Sequence, residues 1–300
     1  GPVWNEEFPL VPIPTHTFRF FGHEVNSLFG VAACPLTHGA RGVGIMAKLG
    51  YDLITYRSVR SIEWHGQQYP NWRYVNIDHQ LTVENLSEPV ESSESQLSNQ
   101  DVTTANSFGI QSSAPDHWLK EFELAQQTIS SGQVLILSLM FTPEDGQDVI
   151  DDAVKVASYG IQTSAKVFEI NLAHPNSGMK SIVYEDIDTS VAICRGVKKI
   201  LKDKPLIAKI GFYRDFDLLE QFMKRTSGII DGISSTNTYA IPIYTDQGRE
   251  TFPGRPKAGV AGDAIRSLSQ FQAQKIVELK NNERQTKTKD RRSLCTGIAP

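Results

Sequence analysis

The chain has 300 residues, with 30 lysines and arginines against 34 aspartates and glutamates, giving a formal charge of −4. A hydrophobic fraction of 40% with 21% charged residues excludes a disordered chain and supplies enough apolar material for one large core. The mild acidity excludes a scaffold that works by neutralising nucleic-acid phosphates, and Cys34, Cys194 and Cys295 are too few and too scattered for a disulfide framework or a zinc site.

Such sparing use of cysteine fits a reducing compartment, so a cytoplasmic location is expected. No apolar run reaches the length of a membrane span, so no membrane partner is expected either. Residues 1–22, with Pro9, Pro12 and Pro14, read as an extended arm, because proline blocks helix there. Residues 23–300 then read as one barrel domain. Apolar, β-branched runs predict strands at 26–33, 53–59, 134–141, 166–172, 206–212, 229–234 and 293–298. Several are apolar on both faces, as in strands buried within a parallel sheet. Helical spacing of apolar residues predicts helices at 116–130, 147–159, 189–201, 217–226 and 264–279.

Strand alternating with helix implies right-handed βαβ units, and the fold expected is an α/β, (β/α)8 TIM barrel. Two segments break the rhythm. Residues 84–105, rich in Ser, Glu, Gln and Asn, read as a polar surface insertion or a lid. Residues 280–292 carry many basic side chains without interleaved aromatics, the pattern of a solvated helix end and loop rather than a nucleic-acid site. Only seven strands can be counted, so the barrel is incomplete at its C-terminal end unless the arm or a partner chain closes it.

In a barrel the chemistry gathers where the strands end. Those ends carry Ala32, Ala33 and Cys34, then Tyr56 and Arg57, then Asn171, His174 and Asn176, then Lys209, and finally Asn237 and Thr238. Asn106 follows the second strand. Amide side chains offer a donor and an acceptor together, which suits a planar heterocycle with alternating C=O and N–H groups, such as a pyrimidine or a flavin ring.

The motif Glu169-Ile-Asn-Leu-Ala-His-Pro-Asn176 resembles the Glu-Leu-Asn-Leu-Ser-Cys-Pro-Asn motif of class 1 dihydroorotate dehydrogenases. Asn106-Ser-Phe-Gly-Ile110 is similar to their Asn-Ser-Met-Gly-Leu, Pro205-Leu-Ile-Ala-Lys209 to their Pro-Leu-Gly-Val-Lys, and residues 234–238 to their Asn-Ser-Val-Asn-Ser. The likeness runs in the same order from about Phe21 to the C-terminus, interrupted near 84–105. It implies an FMN-containing barrel that oxidises dihydroorotate to orotate, a base taking one proton while hydride passes to flavin N5.

On that resemblance Asn106, Asn171, Asn176, Asn237 and Thr238 surround a small-molecule pyrimidine substrate, and His174 takes the base position that the family fills with Cys or Ser. An imidazole is a competent base near neutral pH. The resemblance places Ala32, Ala33, Arg57, Asn171 and Lys209 against the flavin, and Gly262 and Gly297 at its phosphate. The family's second-strand lysine falls on Tyr56 or Arg57. A homodimer, or a partner chain completing the barrel, is the assembly expected. Two alternatives stand beside this reading: a related flavin barrel for another pyrimidine or a cyclic enone, and a barrel that has lost catalysis and serves as a binding or assembly module.

Overall fold

The computed structural model describes residues 16–95, 102–141, 148–173 and 183–289, the last eight of these by their backbone alone. The chain enters through a hairpin of β1 (Phe18–Phe20) and β2 (His23–Val25). Its two-residue turn puts Phe21 at φ 45° and Gly22 at φ 84°, the left-handed pair that a tight hairpin needs. Then follow β3 (Gly30–Val31), α1 (Gly39–Lys48) and β4 (Leu53–Val59). An excursion of three short strands, β5 (Trp72–Asn76), β6 (Val90–Ser93) and β7 (Thr103–Asn106), precedes α2 (Pro115–Gln126).

Regular alternation resumes with β8 (Val134–Leu139), α3 (Val149–Gly160), β9 (Val167–Asn171), α4 (Ile187–Leu201), β10 (Leu206–Lys209), α5 (Phe216–Thr226) and β11 (Gly232–Ser234). A second excursion, β12 (Tyr239–Tyr244) and β13 (Lys257–Gly262), leads into the long α6 (Arg266–Lys289). Aspartates cap three of the helices: Asp148, Asp186 and Asp215 accept backbone N–H bonds from Ile150, Thr189 and Asp217 at 2.6, 3.1 and 2.9 Å.

Six strands pair in parallel in the order β11-β10-β9-β8-β4-β3, the half-barrel of a βα series. The α/β class stands. The eight-stranded closure does not: among the described residues β3 and β11 end the sheet, and the strand expected at 293–298 lies outside them.

Alternate residues of each strand divide between two cores. Ile54, Tyr56, Leu135, Leu137, Phe168, Ile170, Leu206 and Ala208 face the helices and pack with Trp118, Phe122, Val156 and Val197. Leu53, Thr55, Ile136, Glu169 and Ile207 point the other way, into the barrel. Phe20 and Val25 of the hairpin pack with Leu53, Val134, Val167 and Ile207.

The two excursions build a separate closed barrel, β12-β13-β7-β5-β6, around Val75, Leu86, Ile241, Phe252 and Val260. Residues 84–105, expected as a polar insertion, therefore supply β6 and part of β7. Their partners arrive about 150 residues later in the chain, as in the register of Asn106 with Gly259 and of Val90 with Ile243. Single-face burial of short strands explains the polar composition.

Candidate active site

Two cavities open inside the half-barrel. The larger, about 690 Å³, lies between the inward faces of the strands and α6, with Phe20, Leu28, Ile136, Ile207, Ile276 and Val277 in its wall. The smaller, about 420 Å³, lies where the strands end beneath the small barrel. It holds the chemistry-bearing groups, and Ala32, Ser234 and Ser235 border both spaces.

Ala32, Ala33, Arg57, Asn106, Asn171, Lys209, Asn237 and Thr238 all line the smaller cavity. Arg57, Asn171 and Lys209 reach it on the inward-facing phase of β4, β9 and β10, Asn106 from the end of β7, and the others from the segments that follow β3 and β11. The phase also decides the second-strand position. Arg57 faces the cavity, whereas Tyr56 is fully buried on the helix side, its ring edge-on to Phe122 at 5.3 Å. Burial pushes the Tyr56 phenol up to about 12. Burial also lowers the Arg57 guanidinium from its ordinary value, against opposing effects of Cys34 and Tyr56. Arg57 donates to Gln111 Oε1 at 3.4 Å.

The amides form a linked set. Asn171 Oδ1 accepts from the Ala173 N–H at 3.1 Å and from Asn237 Nδ2 at 3.4 Å. Asn237 Nδ2 also donates to the Ala173 carbonyl, and its Oδ1 accepts from the Thr238 N–H at 2.7 Å. Asn106 Nδ2 donates to the Gly259 carbonyl at 3.3 Å. Gly259 must be glycine, since a Cβ there would strike Thr238 Oγ1.

Lys209 is only 8% exposed and has no hydrogen bond or ion pair among the described residues. A buried ammonium without a partner is costly, and this one faces a cavity that can hold an acceptor. A buried hydrogen-bonded chain runs between neighbouring strands: Ser58 Oγ and Ser138 Oγ are 2.8 Å apart, and Ser138 donates to Glu169 Oε1 at 2.8 Å.

The resemblance places Gly262 at the cofactor phosphate; the segment 259–262 forms strand β13, and Gly262 is not in the wall of the smaller cavity, which Ala261 and Ile265 complete. Its glycine is required because φ is 100° and a Cβ would meet the Val102 carbonyl. His174, Asn176 and Gly297 lie outside the described residues.

Sequence reasoning missed one buried anchor. Gln272, fully buried on α6, donates through Nε2 to the Gly211 carbonyl and Ser235 Oγ, both at 2.7 Å, and accepts from the Tyr213 N–H at 2.7 Å. Its signal was a polar residue four positions from both Leu268 and Ile276, on the helix's apolar stripe. Gln272→Leu should strip a partner from two buried backbone groups and from the half-buried Ser235 hydroxyl, and destabilise the fold by about 1–3 kcal/mol, read from urea unfolding. An unchanged midpoint would contradict that role.

The profile of the dihydroorotate dehydrogenase family matches residues 96–285, more than half of the chain. The chain belongs to the dihydroorotate dehydrogenase family. It is 29% identical over 267 residues to a dihydroorotate dehydrogenase of Dictyostelium discoideum, an alignment covering 85% of this chain and 72% of that one. A crystal structure of a ligand-free type DHODH from Eimeria tenella superposes with a TM-score of 0.67 at 15% identity, covering 97% of this chain and 77% of the other. That likeness speaks to the fold. Family membership makes this dihydroorotate dehydrogenase relative an oxidoreductase. Among the described residues no helix is long and apolar enough to cross a membrane.

Proposed function

We propose that the chain oxidises dihydroorotate to orotate, with FMN as its resident cofactor. One observation carries the reading. The buried, unpartnered Lys209 shares a single cavity with Arg57 and three asparagines, a donor-rich wall around a space with a floor of small side chains.

The donor set fits a flavin. Ala32 and Ala33 leave room for a flat ring at the end of the first strand, Asn171 offers an amide, and Lys209 offers the positive charge that favours an anionic reduced flavin. When bound, FMN supplies the acceptor for the hydride. The protein residues do the rest. Asn106, Asn171 and Asn237 present amide groups to the C=O and N–H edge of a dihydropyrimidine and fix its orientation. Thr238 adds a hydroxyl beside Asn237. Arg57 and Lys209 make the cavity electropositive, which favours a substrate bearing a carboxylate. His174, named from the sequence motif, takes the proton next to the substrate carbonyl, with an imidazole well suited to neutral pH.

The test of the cofactor is direct. Purified protein titrated with FMN should quench the flavin's fluorescence to a stoichiometric end point, and the loaded protein should be yellow. Protein that neither retains nor takes up FMN would defeat the proposal.

A further inference from the structure

Arg60 lies one residue beyond β4, is 1% exposed, and does not line the site cavity. Its hydrogen bonds nevertheless converge on the cavity's wall. Nε donates to the Ile110 carbonyl at 2.8 Å, Nη2 to the Gly109 carbonyl at 2.9 Å and Nη1 to the Phe141 carbonyl at 3.4 Å. Its own N–H donates to Ser112 Oγ at 3.0 Å, and its carbonyl accepts from Trp118 Nε1 at 3.0 Å.

Trp64 reinforces the grip. Its ring lies 5.2 Å from the guanidinium, and its Nε1 donates to the same Gly109 carbonyl at 3.0 Å. Trp64 and Ser112 exchange backbone hydrogen bonds at 2.8 and 2.9 Å. Gln67 N–H donates to the Phe108 carbonyl at 2.9 Å and Ser107 N–H to the Asn71 carbonyl at 2.8 Å.

The gripped segment is unusual. Gly109 and Ile110 are consecutive left-handed residues, with φ of 71° and 49°, a conformation that a β-branched side chain rarely adopts. It turns both carbonyls toward one guanidinium, and Phe108, Gly109 and Ile110 face the cavity. A planar fork holds two adjacent carbonyls in a fixed geometry, which a lysine's single rotatable ammonium does not impose.

We propose that Arg60, assisted by Trp64, is a positioning residue that sets the wall of the pyrimidine pocket by holding residues 107–112 in this left-handed turn. The inference rests on the redox reading of the cavity. Its role is in substrate fit, not in the chemical step, because the guanidinium is sealed off behind the wall.

The experiment uses Arg60→Lys and Trp64→Phe, conservative changes chosen to keep the fold, alongside the parent protein. Hydrogen–deuterium exchange is measured at the Ser107 and Ser112 amides, together with KM and kcat for dihydroorotate. Arg60→Lys should speed exchange in 107–112 by about ten-fold or more, with helix amides unchanged, since it loses at least one of the paired hydrogen bonds. KM should rise by about ten-fold while kcat changes little, and Trp64→Phe should show the same pattern more weakly. Exchange that stays as in the parent, or rises uniformly across the protein, would overturn the proposal. So would a fall in kcat at unchanged KM. The exchange arm needs no flavin, so failure of the redox reading, seen as protein that takes up no FMN, is distinguished from failure of the clamp.

Discussion

Replacing Lys209 by methionine should leave the protein at least as stable as the parent while slowing flavin reduction by about a hundred-fold or more. The opposite signs follow from one fact. Lys209 is 8% exposed, lines the cavity and has no hydrogen bond or ion pair among the described residues, so removing its ammonium breaks no bond within that part of the fold. Methionine fills a similar volume, and the strand neighbours Ala208 and Ile207 keep their packing. On the proposed function the charge is retained for the cavity, where a positive group beside a bound flavin would stabilise the negative charge that builds during reduction. Thermal unfolding and anaerobic stopped-flow reduction on the same preparation check both halves. A variant that is less stable yet reduced at the parent rate would make Lys209 a packing residue.

Asn171→Ala should lower kcat/KM for dihydroorotate by about a hundred-fold or more. Asn171 Oδ1 ties the end of β9 to the loop after β11 through Asn237, and it holds the Ala173 N–H as the chain turns toward the segment carrying His174. Removing it deletes one amide contact and frees a second, so the loss should exceed that of Asn106→Ala, whose Nδ2 donates to the Gly259 carbonyl of β13. Steady-state rates for both variants test the ranking. Equal, small losses would show that the linked amides do not act as a unit.

Much of this site was legible because inward-facing positions of buried strands normally carry apolar side chains. Thr55, Ser138, Glu169, Asn171 and Lys209 break that rule on the barrel-facing phase, while Ile54, Tyr56, Phe168, Ile170 and Ala208 obey it on the other. The same period separates Arg57 from Tyr56, which motif position alone left open.

Other parts were illegible for physical reasons. Helix α1 contains Gly39, Gly42 and Gly44, poor helix formers. Gly42 is there because a Cβ would strike the Leu36 carbonyl, and a Cβ at Gly44 would come within 3.3 Å of the Thr128 side chain. The small barrel escaped notice because its strands are short and polar on one face, and because the pairings that close it, β6 with β12 and β7 with β13, join residues about 150 positions apart, beyond any local window. Gln272 looks like an ordinary helix residue until the Gly211 carbonyl and Tyr213 N–H are brought beside it.

The most direct trial is to mix FMN-loaded protein with dihydroorotate in the absence of oxygen and follow the visible flavin absorbance. Full bleaching by dihydroorotate, with dihydrouracil leaving the colour intact, is the outcome that the cationic, amide-lined cavity predicts. A flavin that keeps its colour with dihydroorotate, or fades equally with the uncharged analogue, would contradict it.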